Sequence, residues 1–104
     1  VPYATGSEDV DAMLTEITAK LDELHELNDE IPDAQLSYEM DRMEKAGRSI
    51  VRVVERQPEK AKQVDRFARY YLPEAVKILA AYARIEKDFA DVGMALKART
   101  PSKF

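Results

Sequence analysis

The sequence predicts an all-α protein, an antiparallel bundle of three long helices with the third kinked at Pro73. Three observations carry that prediction. Apolar residues recur at alternating spacings of four and three, the signature of a helix burying one stripe. Pro32 and Pro58 divide the chain into three such runs. With three glycines, no tryptophan and no cysteine, there is little of the material from which turn-rich β folds or disulfide-stapled scaffolds are made. A chain of 104 residues supports one modest core. The expected organisation is a disordered lead (1–6), one helical domain (7–97) and a frayed basic tail (98–104).

The first helix is predicted to start at Ser7, whose hydroxyl can cap it, with Glu8 and Asp9 in the first turn. Val10, Leu14, Ile17, Leu21, Leu24, Asn28 and Ile31 form its seam, widened by Met13 and Leu27. Pro32 disfavours helical geometry in the residue before it, so this helix should stop between Asn28 and Glu30.

Pro32 and Asp33 open the second helix. Its seam is Leu36, Met40, Met43, Gly47, Ile50 and Val54. Gly47 weakens a helix by about 1 kcal/mol relative to alanine; on the seam it reads either as a site of close approach by a neighbouring backbone or as a tolerated weak point. Asp41 with Lys45 and Glu44 with Arg48 are i,i+4 pairs with the acid first, the favourable order. A tight reversal at Gln57 and Pro58 predicts that helices two and three are antiparallel neighbours.

The third helix contains "FARYYLPEAVKILAAYA". Val64, Phe67 and Tyr71 line up before Pro73; Ala75, Ile78, Tyr82, Ile85, Phe89, Val92 and Leu96 follow it. Two successive spacings of four, Phe67 to Tyr71 to Ala75, make a stutter in the heptad. Pro73 lacks an N–H and displaces the carbonyl of Arg69, a cost of about 3 kcal/mol inside an unbroken helix. Either a kink relieves it or Pro73 starts a new helix; continuity of the apolar phase favours the kink. Tyr70 and Tyr71 read as core or rim aromatics, with a base-stacking platform as the alternative.

Charge is uneven. Residues 1–31 hold nine acidic side chains against Lys20, and residues 59–104 hold ten basic against six acidic. An acidic first helix beside a basic last one explains this simply. Arg48, Arg52 and Arg56, extended by Lys60, Lys62, Arg66 and Arg69, form a basic stripe. It reads either as a solvated outer face paired with helix-one carboxylates or as an anion patch. A net charge of −4 argues against a nucleic-acid binder.

Catalytic motifs are missing from the sequence. His25 is the sole histidine, no serine sits in a nucleophile elbow, and no glycine-rich phosphate cradle occurs. Asp22 and His25 faintly echo a di-iron bundle motif, which needs a second copy. No catalytic, cofactor-binding or metal-ligating residue is therefore assigned. No apolar run spans a bilayer, and the absence of cysteine fits a reducing cytoplasm. The chain begins at Val1 without an initiator methionine, which points to a fragment of a longer protein.

The stretch "PEKAKQVDRFARYYLPEAVKILAAYARI" resembles the XpaC-like family, named for 5-bromo-4-chloroindolyl phosphate hydrolysis. Phe67, Tyr70, Tyr71, Leu72, Pro73, Lys77 and Tyr82 carry the signature, with Pro58, Glu59, Lys60, Ala61, Val64 and Leu79 around it. Glu74 and Ala75 depart from the threonine pair usual there. The resemblance implies a bacterial protein and a helical fold, and its name implies phosphatase-related chemistry. It also implies a helical protein partner such as a toxic-anion resistance protein, and membrane association only through segments outside this chain.

Length supplies the last expectation. A third helix of nearly 40 residues reaches roughly 55–60 Å, whereas helices of 22–24 residues reach about 35 Å. Phe89, Val92 and Leu96 lie on the excess and are expected to be covered by self-association or by a partner helix. The leading functional expectation is a non-catalytic interaction module; a phosphate-ester hydrolase, or an accessory to one, is the alternative.

Overall fold

The computed structural model describes residues 3–99, with side chains for 3–97; Val1, Pro2 and residues 100–104, most of the predicted tail, lie outside the described residues. Helix α1 is Glu8–Glu30 and α2 is Ala34–Arg56; a 3-10 segment, Pro58–Val64, and a π turn, Phe67–Tyr71, lead into α3, Leu72–Arg99. Among the described residues there is no strand.

The caps fall where the sequence places them. The Ser7 side chain accepts from the Val10 N–H, and Asp33 accepts from the Leu36 N–H at 2.9 Å. The residues ahead of α1 are tied to it. The Tyr3 hydroxyl lies 2.7 Å from Thr18 Oγ1, and Thr5 donates to Asp11 Oδ1 through both its N–H and its hydroxyl.

Helix α1 is the centre of the molecule. Leu14, Ile17, Leu21 and Leu24 are completely or almost completely buried, and α2 and α3 both pack on α1. Helices α2 and α3 make almost no contact with each other, so the expected α2–α3 neighbourhood is corrected: α2 meets the 3-10 segment instead. Tighter winding through Pro58–Val64 carries the chain across the end of the bundle before α3 begins.

Gly47 is corrected in a similar way. The object above it is not a backbone but the buried Leu21 side chain, whose Cδ2 would lie 2.6 Å from an added Cβ. Gly93 has nothing within 4 Å.

The helical backbone runs unbroken from Asp65 to Arg99, and its irregularity precedes Pro73. The Leu72 N–H donates to the Phe67 carbonyl, the i→i−5 bond of a π turn. This wide turn takes up one extra residue and resets the apolar phase. As a result Leu72 and Val76, each 1% exposed, take the core positions. Tyr71 and Ile78, assigned to the core seam by spacing, face outward, and so does Tyr70.

Polar side chains pin α1 to α2 outside the core. Arg48 donates from Nε to Glu44 Oε2 and from Nη2 to Asp22 Oδ1, both at 2.9 Å. His25 Nδ1 lies 2.9 Å from Glu44 Oε1, and the Ser37 hydroxyl donates to Asn28 Oδ1. The hydrogen bond to Glu44, helped by its charge, holds the His25 imidazole above its ordinary value of 6.5. Burial pushes the Glu44 carboxyl up, but hydrogen bonds from His25 and Arg48 outweigh it and hold it below 4.5.

Gly47→Val should destabilise the fold by about 1–3 kcal/mol, because the new side chain overlaps the buried Leu21 side chain; urea unfolding checks this, with Gly93→Ala, where nothing lies within 4 Å, as a control whose midpoint does not fall. Because folding raises the His25 pKa, its contribution is complete below pH 6.5 and disappears as pH rises through the raised value. Unfolding midpoints at pH 6 and pH 8.5 should therefore differ more in the native chain than in His25→Gln. An NMR titration should show the His25 pKa falling toward 6.5 in Glu44→Gln.

Candidate functional site

Two surfaces are candidates: the basic stripe with the groove near the π turn, and the outer face of α3. The stripe does not converge. Arg48 is held between Asp22 and Glu44 and half shielded in the α1–α2 seam. Arg52 donates to the Ser49 hydroxyl, and Arg69 is paired with Asp65 at 2.8 Å. Arg56 and Arg66 have no carboxylate within ion-pair distance among the described residues.

An open groove of about 930 Å³ lies between the start of α1 and residues 58–73. Of the stripe, only Lys62 and Arg69 reach it, and Arg69 is already engaged. Asp9, Glu16, Glu59 and Asp65 line it as well. Four carboxylates against two cations give a field that repels a phosphate dianion. Among the described residues, no group of three or more His, Cys, Asp or Glu side chains is arranged to hold a metal ion. His25, the one imidazole, lies in the α1–α2 seam, committed to Glu44 and outside the groove.

The family-signature residues divide by face. Phe67 and Tyr82 are half-buried against the core and Leu72 is fully inside it; Pro73 sits at the groove. Tyr70, Tyr71 and Lys77 are exposed. Burial pushes the Tyr82 hydroxyl above its ordinary pKa of 10.0, with Glu86 and Asp33 adding to the effect. Tyr82 therefore marks the level of the α1–α2 turn on α3. Phe67, Leu72 and Tyr82 of the signature thus serve the phase-resetting turn and its packing on the core.

Beyond Tyr82 and Ala83, α3 leaves the bundle. Residues 84–99 project past the α1–α2 turn for about 24 Å at 1.5 Å per residue, which accounts for principal extents of 69 × 22 × 22 Å. Along this projection Ile85, Phe89 and Val92 are 52%, 72% and 55% exposed, and Leu96 lies on the same face. The heptad stripe read from the sequence as α3's core seam is thus a second apolar face. The face that packs on α1 is Leu72, Val76, Leu79, Ala80 and Ala83. On a helical wheel this face and the ridge of Ile85, Phe89, Val92 and Leu96 lie about 150° apart at 100° per residue. The equal apolarity of Leu72, Val76 and Leu79 was the signal that α3 carries two stripes. Sequence reasoning also missed Met94, exposed on the opposite side of the helix from the ridge, and the Ser37–Asn28 contact. The Asp22–Arg48 pair is the expected pairing of the basic stripe with helix-one carboxylates, met among the described residues at this one position.

Among the described residues no helix is long and apolar enough to cross a membrane. Neither a curated protein nor a solved structure matches the chain. The model of the family described as 5-bromo-4-chloroindolyl phosphate hydrolysis protein matches residues 5–90, from the lead of α1 to the middle of the projecting ridge, and the chain belongs to that family.

Proposed function

We propose that this chain is a non-catalytic interaction module whose working surface is the ridge of Ile85, Phe89 and Val92 on the projecting part of α3. One observation carries this reading: Ile85, Phe89 and Val92 are large apolar side chains, each more than half exposed, on a part of α3 that extends about 24 Å past Ala83. Isolated helices of 12–15 residues are marginal in water. A helix projecting this far gains most from a second helix laid along its apolar side. The family's description supports a second reading, a phosphate-ester hydrolase or an accessory to one. The acidic groove and the dispersed arginines weigh against it.

The purified chain should show no turnover of 5-bromo-4-chloroindolyl phosphate above buffer, with or without magnesium or zinc. Turnover that falls on Arg52→Ala or Arg56→Ala would reverse the ranking. A photo-crosslinking amino acid at position 89 should give a protein adduct in the native cell, identifiable by mass spectrometry. The same group at Lys45, on the outer face of α2, should give none.

A further inference from the structure

We infer that the ridge pairs with the same ridge of a second copy, in antiparallel orientation, so that each projecting tip reaches the α1–α2 turn of the other copy. The inference rests on the docking reading above and identifies the occupant.

Charge selects the orientation. The α1–α2 turn exposes Asp29, Glu30 and Asp33, and Asp29 and Glu30 have no cation within ion-pair distance among the described residues. The far end of the described projection carries Lys97 and Arg99 and no acid after Asp91. Parallel pairing sets basic tip beside basic tip and acidic turn beside acidic turn. Antiparallel pairing sets each tip beside an acidic turn.

Register follows from the flanking positions. Phe89 and Leu96 occupy heptad position a, and Ile85 and Val92 occupy position d. In an antiparallel pair a meets d, so Phe89 layers against Val92 of the other copy and Ile85 against Leu96. The flanking residues Glu86 and Asp88 then lie opposite Gly93 and Ala95, so no carboxylate faces another. Sliding the helices to a seven-residue-longer overlap sets Glu86 against Glu86 and Asp88 against Asp88. Small residues at 93 and 95 thus permit this one register, and acidic residues at 86 and 88 oppose the longer one. The contact is isologous and closes on two chains.

Sedimentation velocity should give twice the single-chain mass, and Phe89→Glu combined with Val92→Glu should return it to one chain with the unfolding midpoint of the bundle retained. The native chain has no cysteine, so orientation is readable by oxidation. Ile85→Cys combined with Leu96→Cys should form a covalent dimer, and neither substitution alone should. Self-crosslinking by either single variant would establish parallel pairing and overturn the inference. A strict monomer at about 1 mM, where even a millimolar dissociation constant would show, overturns it as well. If that monomer still gives a heterologous photo-adduct from position 89, the docking reading survives alone. No adduct of any kind overturns both.

Discussion

A 23-residue helix ordinarily buries one stripe against one neighbour, and α1 is asked to serve two. Leu14, Ile17, Leu21 and Leu24 are wholly interior because α2 closes over them from one side and α3 from the other. Each such leucine or isoleucine contributes about 1.5–3 kcal/mol on burial, so much of the apolar stabilisation runs through α1. The glycine at position 47 answers the same demand. Leu21 is the residue α1 presents at the point of nearest approach, and a glycine on α2 accepts its branched end. The polar pin of Asp22, His25, Glu44 and Arg48 borders this seam on its solvent side, where it fixes the rotation of α2 about α1 without burying a charge.

The wide turn at Phe67–Tyr71 solves a second problem, created by proline. A helix entering Pro73 in ordinary geometry leaves a carbonyl pushed aside with no donor returning to it. A turn closed by an i→i−5 bond loosens the winding just before the proline and advances the apolar phase by one residue. The consequence reaches well beyond the turn. With Leu72 and Val76 inward, the tyrosines ahead of them and the Ile78–Ile85 row behind them turn outward. One extra residue in one turn therefore decides which of α3's two stripes is core and which is surface.

That decision is also what limited the sequence. The cap at Ser7, the ends of α1 and α2, the α1 seam, the α2 seam apart from the buried Val51, and the i,i+4 pairs were legible because each depends on residues within one or two turns. The phase of α3 was not, because "LPEAVKILAAYARI" is apolar on two faces and spacing alone cannot rank them. The stutter was visible; its direction depended on α1, a neighbour more than 40 residues earlier. The same holds for Gly47, where the sequence pointed to close approach but could not say that a side chain would make it. For the candidate site, Phe89 and Val92 were found by length alone, whereas the dispersal of the arginine stripe required knowing that Arg48 turns toward Asp22.

Two stripes on one helix carry a functional consequence that neither carries alone. The stripe of Leu72, Val76 and Leu79 thins beyond α1's reach to Ala83, Ala90 and the exposed Met94. The outer stripe continues past that point without a change of period, through Ile85, Phe89 and Val92. A helix extended merely as a solvated spacer would lose its apolar repeat once it left the core, because nothing there rewards burial. Here the repeat persists while acidic residues at 86 and 88 and small ones at 93 and 95 flank it. Apolar period, flanking charge and helix length vary independently in a sequence, and in this one they converge on the surface proposed to dock another helix.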